Sequence, residues 1–119
     1  MTDFGFSALS QGRDHSGLLK TKLGTLLYQA PEIKREKNYV GSTADIFSAG
    51  VILFMLVINH CPFKEASNND NVYKCFINNK SDMFWKWHER QMAKARGLNV
   101  YKKHYLLSEE LKDLVTAML

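Results

Sequence analysis

The residues that could carry chemistry stand in four short motifs, which follow one another in a fixed order. They are Asp-Phe-Gly at residues 3–5, Gly-Thr-Leu-Leu-Tyr-Gln-Ala-Pro-Glu at 24–32, Asp-Ile-Phe-Ser-Ala-Gly-Val at 45–51 and Cys-Pro-Phe at 61–63. Any single tripeptide recurs by chance, so Asp-Phe-Gly alone is a weak signal, whereas the ordered set is a strong one. The candidate functional groups in these motifs are carboxylates and hydroxyls, because the histidines and cysteines of the chain lack the spacing of metal ligands.

The composition is that of an ordinary globular protein. The 119 residues are 45% hydrophobic and 24% charged, which excludes collagen-like, low-complexity and fully disordered classes. The net charge of +4 comes from scattered lysines and arginines, whereas nucleic-acid binders cluster theirs on one face. A basic, helical nucleic-acid-binding domain is therefore a remote alternative, and we expect no nucleic-acid partner.

The cysteines and the longest apolar run bear on the compartment. Cys61 and Cys75 are too few for a disulfide framework, and the chain does not start with a signal-peptide pattern. We expect free thiols and an intracellular, cytoplasmic protein. The apolar run at residues 46–58 is shorter than the about 20 residues that span a bilayer, so we expect no membrane partner.

Helices must position the motifs. Residues 6–24 are rich in Gly and Ser and predict a long loop, and residues 32–37 predict a short polar helix. Residues 44–58 are apolar on nearly all faces, which predicts a helix buried all round. Ser42 or Thr43 is expected to cap this helix, with Asp45 in its first turn.

Two more helices are predicted further along the chain. Asn and Asp at residues 68–70 are expected to cap a helix that ends at residues 78–80. Phe84, Trp85 and Trp87 indicate packing against the core. Ser108 is expected to cap an amphipathic helix. Because the sequence stops in the middle of the apolar stripe of this helix, we expect a truncated domain. The predicted fold class is mainly α.

The ordered motifs resemble the C-terminal lobe of a eukaryotic protein kinase from its Asp-Phe-Gly onward, over nearly the whole chain. The Gly24-Thr25 pair before Tyr-x-Ala-Pro-Glu is similar to the matching segment of Ser/Thr kinases, most of all of calcium/calmodulin-dependent-like or AMP-activated-like kinases. The resemblance implies a partial lobe around a central helix, with an activation segment at 1–32 and a helical part at 33–119. Because the β-rich lobe is absent, we expect exposed apolar surface and poor solubility.

The resemblance also implies roles for single residues. Asp3 matches the carboxylate that holds Mg²⁺ against the phosphates of ATP, Phe4 matches a side chain whose packing separates active from inactive states, and Gly5 supplies backbone freedom. Thr21 matches the activation-loop phosphorylation site, which an upstream kinase would modify. The substrate-facing loop would be Thr25, Leu26 and Leu27. The structural motif positions would be Ala30, Pro31, Glu32, Asp45 and Gly50.

Several parts of a kinase are missing from the sequence. It has no Gly-rich loop, no Val-Ala-Ile-Lys lysine and no His-Arg-Asp loop, so the catalytic Asp is absent. The resemblance implies ATP, Mg²⁺ and a protein substrate for a full-length domain. For this chain alone we expect no tight cofactor binding and no kinase activity. The alternative is a truncated, non-catalytic kinase-like binding module, with a docking surface on the helix at residues 70–80.

Overall fold

The computed structural model describes residues 4–12, 14–99 and 107–119. Within these residues the chain forms helices and no sheet, which confirms the mainly α fold. An isolated antiparallel bridge joins Leu19 to Tyr39. The helices are α1 (Pro31–Arg35), α2 (Gly41–Ile58), α3 (Lys74–Ile77), α4 (Ser81–Ala95) and α5 (Glu109–Met118).

Helix α2 begins three residues earlier than the sequence pattern predicts. Val40 is its N-cap residue and no side chain caps it; the Thr43 hydroxyl instead donates to the Val40 carbonyl at 2.8 Å. The predicted caps Ser42 and Thr43 are therefore wrong, because both lie inside the helix. For the same reason Asp45 falls beyond the first turn.

Only one face of α2 is buried in the structure. Val51 and Phe54 are fully buried, whereas Ile52 is half exposed and Leu56 is 78% exposed. The prediction of burial all round is therefore wrong, and the prediction of exposed apolar surface is confirmed. With 18 residues, α2 is long and apolar enough to cross a membrane by length and composition alone, but core helices of soluble proteins pass the same test.

Aromatic rings join α2 to α4 and form the centre of the core. The Phe54 ring lies 5.6 Å from that of Phe84 and 4.7 Å from that of His88, between ring centroids. Phe84 and Trp85 are buried, as predicted, but Trp87 is 45% exposed. Helix α4 also covers residues 89–95, which are polar and show only weak periodicity in the sequence.

The predicted helix after residue 70 is short. Helix α3 has four residues, and it follows a turn in which the Asp70 carboxylate accepts hydrogen bonds from the backbone N–H groups of Val72 and Tyr73. Its end at Asn78 is as predicted. A docking helix over residues 70–80 is therefore not formed.

Helix α5 packs against α2 as a capped amphipathic helix. The Ser108 hydroxyl accepts from the Leu111 N–H at 3.3 Å, which confirms the predicted cap. Val115 is buried, and Gly50 of α2 lies against the last residues of α5. A Cβ atom on Gly50 would lie 2.8 Å from the Cβ of Met118, so this glycine allows the two helices to approach closely.

Replacing Gly50 with alanine is therefore expected to destabilise the protein. Alanine gains about 1 kcal/mol of helix propensity, but overpacking costs about 1–3 kcal/mol. We expect a net loss of about 1 kcal/mol for Gly50→Ala and a larger loss for Gly50→Val, measured by urea unfolding. Met118→Gly removes the contacting Cβ, so a double-mutant cycle should show a favourable coupling with Gly50→Ala. A Gly50→Ala protein more stable than the natural one would contradict the close contact.

Candidate functional site

The segments at residues 4–12 and 14–30 run as loops, and the second is held to the helices near its middle. Leu19 and Tyr39 exchange backbone hydrogen bonds of 2.8 and 2.9 Å, and the Tyr39 hydroxyl donates to the Thr21 carbonyl at 2.7 Å. Gly12 is buried, and its backbone φ of +69° is one that residues other than glycine rarely adopt. Over residues 6–12 and 14–24 the predicted long loop is thus confirmed, and Tyr39 fixes the course of its second part.

A small charged turn precedes Thr21. The Asp14 carboxylate accepts from the Lys20 ammonium at 2.7 Å and from the hydroxyl and N–H of Ser16. The hydrogen bond from Lys20, reinforced by those from Ser16, holds the pKa of Asp14 well below its usual range. Asp14 is therefore ionised at neutral pH and neutralises Lys20.

Thr21 itself is exposed and has basic neighbours. Lys20 and Lys22 flank it, and the Lys22 ammonium donates to the Lys34 carbonyl at 3.0 Å. Its backbone is fixed by Tyr39 while its side chain faces solvent. A phosphate added to this hydroxyl would meet the positive charge of Lys22, because Lys20 is already paired with Asp14.

The predicted substrate-facing loop is a turn held by one glutamine. The Gln29 amide donates to the carbonyls of Leu23 and Gly24 at 3.0 and 2.9 Å. Thr25 and Leu26 are exposed, whereas the neighbouring Leu27 is half-buried against the core. The turn therefore presents one hydroxyl and one apolar side chain to solvent.

Helix α2 positions the end of this segment. The Ser48 hydroxyl donates to the Tyr28 carbonyl at 2.8 Å, and the Tyr28 hydroxyl reaches the Met55 sulfur at 3.8 Å. Ala30 is buried, and Pro31 stands at the start of α1. The residue that leads into Ala-Pro-Glu is thus tied to α2 at Ser48 and Met55, about two turns apart on the central helix, which the sequence pattern does not predict.

A cavity of about 980 Å³ lies between the loop segment and the start of α2. Four of the predicted site residues line it: Gly5, Thr21, Thr25 and Asp45. The other described ones do not, namely Phe4, Leu26, Leu27, Ala30, Pro31, Glu32 and Gly50. Phe4 is 63% exposed, and Asp3 lies outside the described residues.

The described residues of the site can hold a loop in place but do not form a metal site. No group of three or more His, Cys, Asp or Glu side chains in the described ranges could hold a metal ion. Cys61 and Cys75 are free thiols, as predicted. Across residues 4–12 and 14–99, the arrangement presents a loop with hydroxyls and anchors it on a central helix.

Comparison with known proteins decides what this arrangement is. The family model for the protein kinase domain matches residues 1–119. The chain belongs to the protein kinase family. It is 40% identical over all 119 residues to CBL-interacting protein kinase 26 of Oryza sativa subsp. japonica and covers 20% of that relative. It is 39% identical to CBL-interacting protein kinase 28 of the same organism, again over the whole chain and over 22% of the relative.

A third relative carries the Ser/Thr specificity in its name. CBL-interacting serine/threonine-protein kinase 3 of Arabidopsis thaliana is 47% identical over 62% of this chain and 17% of that relative. The chain thus spans about a fifth of the length of these curated kinases. No solved structure matches. The resemblance to eukaryotic Ser/Thr kinases is confirmed, and so is the helical fold as part of a kinase lobe.

Proposed function

We infer that this chain supplies the activation segment and part of the helical lobe of a kinase that phosphorylates serine or threonine in proteins. The activation segment would be residues 1–32 and the helical part residues 33–119. The observation that carries this proposal is the anchoring of the Ala-Pro-Glu segment to α2 through Ser48 and Tyr28. Substrate positioning depends on such a fixed loop, because phosphoryl transfer is catalysed mainly by positioning and charge stabilisation.

ATP and Mg²⁺ would be the cofactors of the complete domain. Asp3 offers a carboxylate, the hard oxygen ligand that Mg²⁺ prefers, so the donor chemistry of this position fits the ion. When bound, the ion would neutralise charge on the phosphates. Thr25 and Leu26 are exposed on a fixed turn and would contact the protein substrate. The 119 residues contain no His-Arg-Asp loop, so the base that accepts the hydroxyl proton must come from outside them.

Thr21 would be the regulatory site of the same segment. An upstream kinase could reach its exposed hydroxyl, and a phosphate there would be attracted to Lys22, and to Lys20 in competition with Asp14. Because Tyr39 holds the Thr21 carbonyl, the added charge would act on a loop whose backbone is already anchored. We place this activity in a reducing, cytoplasmic compartment, in keeping with two free thiols.

A graft tests the proposal. Residues 1–119 replace the matching segment of rice CBL-interacting protein kinase 26, and transfer of labelled phosphate from ATP to a protein substrate is measured. We expect Mg²⁺-dependent transfer by the graft and none by the isolated 119 residues, which lack the catalytic base. Asp3→Asn in the graft should lower transfer at least a hundredfold, about the cost of removing one preorganised charge from a transition state.

The control is Asp113→Asn, because this carboxylate is exposed on α5. It should leave transfer unchanged. A graft that is folded by circular dichroism and gel filtration but transfers no phosphate would overturn the proposed function. Turnover by the isolated chain would overturn the statement that the base lies elsewhere.

A further inference from the structure

Helix α4 presents a solvent-facing stripe that is basic and carries an aromatic side chain. Its five members are all exposed and recur at helical spacing: Met83, Lys86, Trp87, Arg90 and Lys94. At 100° per residue they fall within about a third of the helix circumference and span roughly 17 Å of its length. We call this surface the α4 stripe.

The opposite side of α4 is fully used by the fold. Phe84, His88 and Met92 are buried in the core, and the Trp85 indole N–H donates to the Thr116 hydroxyl at 2.9 Å. Glu89 forms a salt bridge of 2.8 Å with Lys112 of α5. Because these contacts fix the rotation of the helix, the α4 stripe is held toward solvent.

The charges of the α4 stripe have one sign. Lys86, Arg90 and Lys94 are spaced four residues apart, so their side chains lie along one row. Within the described residues none of the three belongs to an ion pair. Asp82 begins the same row four residues before Lys86 and takes part in no salt bridge within the described residues, so three cations and one carboxylate leave the row with a net charge of +2.

Trp87 gives the stripe a rigid apolar centre. Its ring is 45% exposed, and its other side packs edge-on against His88 at 4.6 Å and against His60 at 6.4 Å, between ring centroids. Met83 lies one turn away and is 58% exposed. A half-exposed tryptophan held by the core is the kind of residue that anchors protein interfaces, because little side-chain entropy is lost on binding.

We propose that the α4 stripe docks an acidic protein segment that carries an apolar side chain. Carboxylates spaced four residues apart on a partner helix would match the row of Lys86, Arg90 and Lys94, and the apolar side chain would cover Trp87 and Met83. The surface is a poor match for a membrane, because two apolar side chains give little to insert. It is a poor match for single-stranded nucleic acid, because one exposed ring cannot stack successive bases.

The test uses the whole 119-residue chain and a fluorescein-labelled helical peptide with glutamates spaced four residues apart and one central leucine. Fluorescence anisotropy should show binding that weakens as salt increases. Charge reversal in Lys86→Glu/Arg90→Glu/Lys94→Glu should weaken binding at least tenfold. The matched control, Lys37→Glu/Lys64→Glu/Lys74→Glu, changes the net charge equally at exposed positions off the stripe and should bind like the natural chain.

The contribution of the apolar centre is tested separately. Trp87→Ala and Met83→Ala should each weaken peptide binding, with Trp87 the larger at about tenfold. If Trp87→Ala fails to fold, which circular dichroism would report, the Met83→Ala variant still tests the apolar centre. Equal effects of the two triple variants would overturn the proposal. So would tighter binding of phosphatidylserine vesicles or of a single-stranded oligonucleotide than of the peptide, since the partner would then belong to another class.

Discussion

Acidification below pH 6.5 is expected to destabilise the protein by up to about 1.4 kcal/mol for each pH unit, because unfolding then binds a proton at His88. This imidazole has no exposed surface. One nitrogen, Nε2, lies 3.0 Å from the Pro62 carbonyl, and since a carbonyl only accepts, Nε2 carries the hydrogen. The other, Nδ1, therefore accepts from Nε2 of His60 at 2.7 Å. Neutral His88 has a partner at each nitrogen.

The direction of this pH dependence follows from where His88 titrates in the folded and in the unfolded chain. Burial, and then the charge of His60, lower the pKa of His88 to about 3 in the folded state. In the unfolded chain an imidazole titrates near 6.5 (about the value of a free side chain). Between these values the unfolded chain binds the extra proton and the folded chain does not. The stabilisation is therefore complete above pH 6.5 and is lost progressively toward pH 3, by roughly 4–5 kcal/mol in all.

Urea unfolding between pH 7.5 and 5 measures this effect. His88→Gln cannot titrate, so its free energy of unfolding should stay nearly constant over that range, whatever its absolute value. His15→Gln is the control, because His15 is exposed and bonds the nearby Gln11 side chain. It should keep the slope of the natural chain. Natural and His88→Gln proteins whose stabilities change in parallel would contradict the buried-imidazole explanation.

Carboxylates do not account for a loss of stability above pH 5. Hydrogen bonds from Lys34 and Ser67 lower the pKa of Glu65 below its ordinary value. A group of this kind contributes stability above its unfolded pKa and loses it as the pH falls through the folded pKa. That window lies below about pH 4.5, where His88 has already lost much of its contribution.

The sequence predicts local features of this fold well. The Ser108 cap and the end of α3 at Asn78 depend on neighbouring residues, and both are confirmed. The ordered motifs could be found because each is a short run. The start of α2 could not be predicted, because Ser42 and Thr43 both have the preference of N-cap residues. The bridge between Leu19 and Tyr39, two segments 20 residues apart, fixes the chain just before Gly41 and moves the helix start there.

Contacts between distant residues are the part that the sequence does not reveal. Ser48 bonds the Tyr28 carbonyl and His60 bonds His88, across 20 and 28 residues. No periodicity links either pair, since each member belongs to a different element. The site is therefore predicted as a set of motifs, while the bonds that hold its loop on α2 become visible only in the structure. The sequence does not reveal the α4 stripe for a similar reason, because which side of α4 is exposed depends on its contacts with α2 and α5.

Replacing Asp70 with alanine is expected to destabilise the protein by about 3 kcal/mol, because three backbone N–H groups lose their acceptor. One carboxylate oxygen accepts from Val72 and Tyr73 at 2.8 and 2.9 Å, and the other accepts from Lys64 at 2.8 Å. Asp70 is buried, so water cannot replace it fully. These bonds join the loop after α2 to the turn before α3.

Asp70→Asn separates hydrogen bonding from size. The amide keeps one oxygen for Val72 and Tyr73 but turns its NH₂ group toward the N–H of Lys64, so about half of the alanine effect should remain. Burial raises the pKa of Asp70, yet the N–H groups of Tyr73, Lys64 and Val72 together lower it further, which indicates that the ionised form is the bound one. Urea unfolding at pH 7 measures both variants, with exposed Asn69→Ala as the control. Equal stability of Asp70→Ala and Asn69→Ala would show that the three bonds do not hold this turn.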